Sequence, residues 1–500
     1  MKKFLAISIA LALTFGVSPS FAATLKAGST CTKLSSTITS GATKLVCVAA
    51  GSKNIWSVSN SAQSRYTPKG WLVDRCFEEE GLKGYAAKLQ TFLVKDRRCI
   101  SAMRVVKATL PKSRPASVNS LESTLPPLET CKLQNAPNSN NWKGFPAPGK
   151  TEEFNLKRHP SPKTVMQIIP IFSSDAPKRG KSPEEDYKYY FDFLRDYFKY
   201  SNDGPGNFEL RVPKTYFEFS KPIEPYEIEH GKDDDLSRAF FQDVISSVDD
   251  KFDFNEINYS LIVVPGGTPS GVMGQQGTGR VLTNEGYVTN VSSAQPATLS
   301  GPNNTLNIWA STPTMWIHEL YHPGMNLGDN HAGNSDLYDS ERGMGDWGLM
   351  SRNNGDLLAW QKWILGFVQD SQVRCVDRSA TSTTSWIAPS SMKTNMDKLV
   401  VVPLSSQKAI VVESIRAMGL SYKYSRESLG ALVYVLDESD SRHDYGYTVM
   451  YPDNRRPSGG RYPMRDAPLK VGESLTYEGV KITNVEWGEF GDVIKVEPVK

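Results

Sequence analysis

Residues 310–331 read Ala-Ser-Thr-Pro-Thr-Met-Trp-Ile-His-Glu-Leu-Tyr-His-Pro-Gly-Met-Asn-Leu-Gly-Asp-Asn-His. Thr312 suits a helix N-cap and Pro313 the first helical position, where a missing N–H costs nothing. A helix starting there carries His318 and His322 four residues apart, on one face and one turn from each other. Two imidazoles so placed can share one tetrahedral ion at roughly 2.0–2.1 Å each. Glu319 stands beside them, placed to take a proton from water rather than to ligate. The chain has six histidines, and three of them fall between 318 and 331, which sets this run apart from a chance match. The competing reading is a partly buried helix whose histidines make ordinary hydrogen bonds.

A third ligand is required. Pro323 and Gly324 are expected to end the helix after His322, and Asn326 to turn the chain back through a left-handed conformation. Asp329 is the favoured third ligand, with Asp336 the alternative and His331 a further competitor. Downstream, Gly345-Asp346-Trp347-Gly348-Leu349-Met350-Ser351 reads as a tight turn bringing Met350 below a metal site, and Leu358 to Gly366 as a closing helix.

Upstream, Val165 to Phe172, Phe208 to Val212 and Tyr259 to Val264 read as strands. Pro183 to Tyr200 and Leu236 to Val248 read as amphipathic helices, the first with Tyr187, Tyr190, Phe191, Leu194 and Phe198 at helical spacing. Alternation of strand and helix implies an α/β layer. Residues 266–305, rich in Gly and Asn, read as one long surface loop. Beyond 371 the pattern changes to short strands at Lys398–Val402, Ala409–Glu413, Ala431–Leu436 and Val480–Ile482, an all-β sandwich.

At the other end, Met1-Lys2-Lys3, an uncharged apolar run from Phe4 to Val17 and Ser20-Phe21-Ala22 make a bacterial-type Sec signal peptide, so a secreted chain is expected to begin near Ala23. No later stretch approaches a membrane span. A net charge of +3 over 500 residues points to neither nucleic acid nor an anionic membrane as partner. Six cysteines in an exported chain read as disulfides. Cys31 with Cys47 and Cys76 with Cys99 are the local pairs, leaving Cys131 with Cys375, although six cysteines allow 15 connectivities.

The domains expected are thus a signal peptide at 1–22 and a small disulfide-stapled module at 23–65. A helical segment and Pro/Ser/Asn-rich linker, suited to a prodomain, follows at 66–130. The catalytic domain spans 131–370 and the C-terminal β-sandwich 371–500. Asp249, Asp250, Asp253 and Glu256 invite a structural Ca2+ reading, but their spacing lacks the glycine and ordering of an EF-hand, and a solvated helix end fits better.

With these residues the chain resembles the immune-inhibitor-A family of secreted metallopeptidases, a metzincin-like group. The likeness spreads over roughly residues 130–440. Its specific parts are the His-Glu-Leu-Tyr-His helix and the Trp347-Gly348-Leu349-Met350-Ser351 turn. Gly144-Phe145-Pro146, Tyr200-Ser201-Asn202-Asp203-Gly204, Val248 to Phe254, Asp336-Leu337-Tyr338-Asp339, Ala359-Trp360-Gln361-Lys362 and Gly430 to Tyr434 support it. The resemblance implies an α/β (α+β) metzincin-like catalytic domain hydrolysing protein or peptide substrates. It implies Zn2+ on His318 and His322, Glu319 as catalytic base and Met350 as the turn methionine. The family's Gly-Leu-Pro-Asp segment, whose Asp is the third ligand, corresponds to Asn326-Leu327-Gly328-Asp329 with one extra residue before it. The alternative from another class is a catalytically inactive metal-containing binding or adhesion protein on the same scaffold.

Overall fold

The computed structural model describes residues 29–33, 36–40, 43–50, 53–58, 125–135, 143–145, 163–204, 207–229, 232–269, 271–277, 280–294, 313–325, 327–330, 343–352, 356–379, 382–416, 421, 424, 428–440, 446–457, 464–488 and 491–499. Near the N-terminus, β1 (Thr37–Ser40), β2 (Thr43–Ala50) and β3 (Lys53–Val58) form an antiparallel sheet in that order, within the small module expected at 23–65. Of the helical segment and linker expected at 66–130, residues 66–124 lie outside the described residues.

The central layer begins with β4 (Lys163–Phe172), followed by α1 (Pro183–Asp186) and α2 (Lys188–Ser201). The aromatic stretch expected as one helix is therefore two. Ser182 and Glu185 close a capping box on the first turn, and the backbone leaves helical geometry at Tyr187 (φ −115°, ψ 17°). Then come β5 (Asn207–Arg211), β6 (Phe217–Glu218), α3 (Asp235–Val248) and β7 (Tyr259–Val263). The expected surface loop at 266–305 instead contributes four short strands: β8 (Gln276–Gly277), β9 (Val281–Thr283), β10 (Gly286–Val288) and β11 (Val291–Ser293). These are two or three residues each, too short for a periodic signal, yet β11 is wholly buried in the sheet.

The sheet runs β5-β4-β7-β11-β8. Its pairs are parallel except at the edge, where β8 runs antiparallel to β11. Both faces are covered, which is why its strands read as unbroken apolar runs. Ile169, Ile171, Ile262 and Val264 pack on one face with Phe240, Phe241, Val244 and Ile245 of α3. Met166, Ile168, Tyr259, Leu261 and Val263 pack on the other, with α2 and with α4 (Pro313–Met325). Trp316 anchors α4 there, its ring 4.3 Å from Tyr190 and 5.4 Å from Tyr187.

After α4 come two short helices, α5 (Leu349–Arg352) and α6 (Ala359–Ile364). The C-terminal region is a sandwich of two open sheets. One carries β12 (Val373–Cys375), β14 (Leu399–Pro403), β15 (Lys408–Ile415), β16 (Gly430–Asp437) and β17 (Tyr447–Val449). The other carries β13 (Thr383–Ile387), β20 (Gly491–Pro498), β19 (Val480–Gly488) and β18 (Ser474–Tyr477).

Strand parity splits the first sheet between two cores. Val400, Val402, Ile410, Val412 and Val433 face the second sheet. Leu399, Val401, Val411, Leu432 and Tyr434 face the helical layer and join the core that holds Trp316, Trp347 and Trp360. The sandwich therefore forms one wall of the core containing α4. A disulfide between Cys131 and Cys375 ties the segment before the central layer to β12, as expected from the cysteine order. Cys31 is disulfide-bonded, while the Cys47 side chain, Cys76 and Cys99 lie outside what the structure describes.

Candidate metal centre

The helix starts at Pro313 as expected but runs on to Met325, past Pro323, rather than stopping at His322. A proline in the last turn deletes one ladder bond without breaking the turns before it. The chain then reverses, and the Leu327 N–H donates to the Tyr321 carbonyl at 3.0 Å. This reversal brings Asp329 back over the helix face that carries the histidines.

Three donor atoms converge. His318 Nε2 lies 3.1 Å from His322 Nε2. Asp329 Oδ1 is 3.2 Å from the first and 3.5 Å from the second. Among the described residues this is the one group of three or more His, Cys, Asp or Glu able to hold a metal ion. The competitors His331 and Asp336 lie outside the described residues.

Each imidazole is oriented from behind by a main-chain carbonyl. His318 Nδ1 is 2.9 Å from the Leu349 oxygen and His322 Nδ1 is 2.8 Å from the Leu327 oxygen. Those contacts place a proton on each Nδ1 and leave both Nε2 lone pairs aimed at the shared point, the usual arrangement of metal-bound histidine. Sequence reasoning missed both carbonyls, because a backbone acceptor has no side-chain signature.

Leu349 belongs to the turn singled out in the sequence. Met350 is fully buried in the core that also packs α4, not at the apex of the turn but in the one-turn helix α5 after it. Its carbonyl accepts the Asn330 N–H at 2.8 Å, and the Asn330 carbonyl accepts the Met344 N–H at 2.8 Å. The segment bearing Asp329 is thereby stitched to the turn beneath His318. Gly348 needs its freedom here: its φ is +83°, and a Cβ would meet Leu358 at 3.1 Å. The Gly348 N–H donates to the Tyr424 hydroxyl at 2.9 Å, and Trp347 Nε1 to the Met464 carbonyl at 2.9 Å.

Electrostatics separate the two rings. Burial works against charge on both. On His318 the Asp329 carboxylate, with Glu319 close by, outweighs burial and lifts the pKa to about 9. His322, buried and beside the His318 charge, stays below its ordinary value. An ion bound there would displace the proton from His318 Nε2, since a ligating imidazole is neutral. Glu319 is half-buried on the same helix, near enough for its charge to bear on both rings.

The donor set therefore fits a divalent ion of the zinc type: two neutral imidazole nitrogens and one carboxylate oxygen, with orienting partners in place. Asp249, Asp250, Asp253 and Glu256, read from the sequence as a solvated helix end, are not among the described residues that group around a metal site. Asp250 pairs with Lys251, Glu256 with Arg211, and Asp253 accepts from the Asn255 N–H.

The class defined so far is a mixed α/β protein, rich in sheet, with a two-histidine, one-carboxylate centre held between helix and turn. Comparison with family models, with curated proteins and with solved structures finds no match for this chain. Among the described residues no helix is long and apolar enough to cross a membrane.

Proposed function

We propose that this chain is a secreted zinc-dependent endopeptidase of the immune-inhibitor-A, metzincin-like kind. One observation carries the reading: two Nε2 atoms and Asp329 Oδ1 meet at a point on the face of a helix whose residue 319 is a glutamate. His318, His322 and Asp329 are the residues that would hold the ion. Bound zinc would supply Lewis acidity at the scissile carbonyl and acidify a water toward a pKa of about 7.

The chain's own residues supply the rest. Glu319 accepts the proton of the attacking water and returns it to the leaving amide nitrogen, so one carboxylate serves as base and then as acid. The Leu349 and Leu327 carbonyls fix ring orientation. The buried turn around Met350 keeps the ligand-bearing segments in register. The signal-like N-terminus and the Cys131–Cys375 disulfide support export.

The test is hydrolysis of fluorescently labelled casein by the purified mature chain. Cleavage that stops with a chelator, returns with zinc and is absent in Glu319→Gln, whose zinc content matches wild type, is expected. Stoichiometric zinc without cleavage of casein or of a peptide library favours the binding-protein reading instead.

A further inference from the structure

The turn that orients His318 is held on its other side by the C-terminal sandwich. Tyr424, buried between β15 and β16, accepts the Gly348 N–H on its hydroxyl at 2.9 Å. Its ring packs on Trp347 with centroids 4.7 Å apart. Trp347 Nε1 in turn donates to the carbonyl of Met464, which lies between β17 and β18, at 2.9 Å. Val449, the last residue of β17, donates its N–H to the Gly343 carbonyl at 3.2 Å. Three separate parts of the sandwich therefore meet the stretch from 343 to 348.

These contacts lie close to the ligands along the chain. Gly348 precedes Leu349, whose carbonyl is 2.9 Å from His318 Nδ1. The Leu349 N–H is itself held by the Asp356 carbonyl at 3.0 Å, so two successive N–H groups are fixed just before the oxygen that faces the ring. At the other end of the stretch the Met344 N–H donates to the Asn330 carbonyl at 2.8 Å, next to Asp329. The turn has little stiffness of its own. Gly345 and Gly348 have φ of +53° and +83°, and glycine reaches many other conformations as readily. Ring packing on Trp347 excludes water but is not directional. The Tyr424 hydroxyl is directional, and it meets the turn one residue before the orienting carbonyl.

We propose that Tyr424, supplied by the C-terminal sandwich, is a positioning residue for His318, its hydroxyl fixing the backbone that aims the Leu349 carbonyl at the ring. Resting on the zinc reading of the centre rather than on peptide hydrolysis, this assignment makes the sandwich part of the metal site instead of a module appended to it.

Competition between the zinc-free protein and a chelating dye measures zinc affinity for wild type, Tyr424→Phe and Ser414→Ala. The visible absorption of the cobalt-substituted proteins and the Tm of the zinc-free forms are recorded alongside. Tyr424→Phe keeps the ring against Trp347 and removes only the acceptor. Ser414→Ala removes a buried hydroxyl that donates to Asp492 at 2.5 Å inside the sandwich, and so reports the effect of a lost buried hydrogen bond away from the turn. Tyr424→Phe is expected to bind zinc about tenfold more weakly, the low end for a ligand's outer partner, and to shift the cobalt bands. Ser414→Ala should lower the zinc-free Tm and leave zinc affinity and the cobalt spectrum as in wild type. Wild-type affinity and spectrum in Tyr424→Phe overturn the proposal. An equal loss of affinity in Ser414→Ala also overturns it, because general destabilisation then explains both. If Tyr424→Phe does not fold, Trp347→Phe, which releases the Met464 carbonyl from the same turn, carries the same expectations. If wild type takes up neither zinc nor cobalt, the metal reading itself fails and this assignment falls with it.

Discussion

His318 Nδ1 sits 2.9 Å from the main-chain oxygen of Leu349, and that contact joins α4 to the buried turn packed against it. Gly348, the residue before, has φ +83°. Gly348→Ala forces a Cβ against Leu358 and strains a left-handed residue by about 1 kcal/mol. The Leu349 oxygen should move off the ring. Zinc affinity is expected to fall about 10–100-fold, the usual effect of disturbing a ligand's orienting partner. Competition with a chelating dye measures it; unchanged affinity contradicts the supporting role of the turn.

Lys362 and Asp356 form an ion pair at 2.7 Å with both side chains almost fully buried. Asp356 also accepts from Tyr197 at 3.0 Å, Ser201 at 2.6 Å and the Leu357 N–H at 2.9 Å. The partners are unequal. Asp356→Ala leaves the buried ammonium with the Ser390 carbonyl at 3.2 Å and removes an acceptor from two buried hydroxyls, and should cost about 3–5 kcal/mol. Lys362→Met leaves a carboxylate that keeps three donors, and should cost less. Urea unfolding of both variants checks the order, and the reverse order contradicts it.

The Cys131–Cys375 bridge closes a loop across a sequence separation of 244. In the chain-entropy account such a crosslink is worth about 3–5 kcal/mol, because the open chain gains the most freedom from a long loop. The double variant Cys131→Ala, Cys375→Ala should melt well below wild type, while zinc content at low temperature stays the same. Equal melting temperatures in a scan of both proteins contradict this.

Lys470 is held by burial, helped by the nearby Arg455 charge, at a pKa of about 7, against an ordinary value of 10.5. Between those values the unfolded chain binds a proton that the folded chain does not. Stability should therefore rise with pH from about 7 to 10.5, by up to about 1.4 kcal/mol per unit. Lys398, which burial lowers to about 8, adds the same sign from 8 upward. Lys470→Met should be more stable than wild type at pH 7 and should rise less steeply. Parallel curves for the two proteins contradict the assignment.

The parts legible in the sequence are those with periodic or spaced side chains. The helix that puts His318 and His322 on one face, the runs at β4, β7, β14, β15 and β16, and the Cys131–Cys375 pair are present as read. What was not legible has physical reasons. An unbroken apolar run does not say which side each residue faces, so the division of β14 to β16 between two cores was hidden. Strands of two or three residues, such as β8 and β11, have no period. Asp329, Asp336 and His331 offer equivalent donors in sequence, and the choice depends on how the chain reverses after Met325. Lys362, Lys398 and Glu413 carry no sequence signal of burial, yet each is at most 1% exposed and closes a polar knot between the helical layer and the sandwich.

Anomalous diffraction at the zinc edge, from crystals of the mature protein, tests the centre most directly. The expected result is one strong peak within about 2.0–2.2 Å of His318 Nε2, His322 Nε2 and an Asp329 oxygen. Its occupancy should be lost in Asp329→Ala. No peak there, or a peak whose third protein ligand is a residue other than Asp329, contradicts the account.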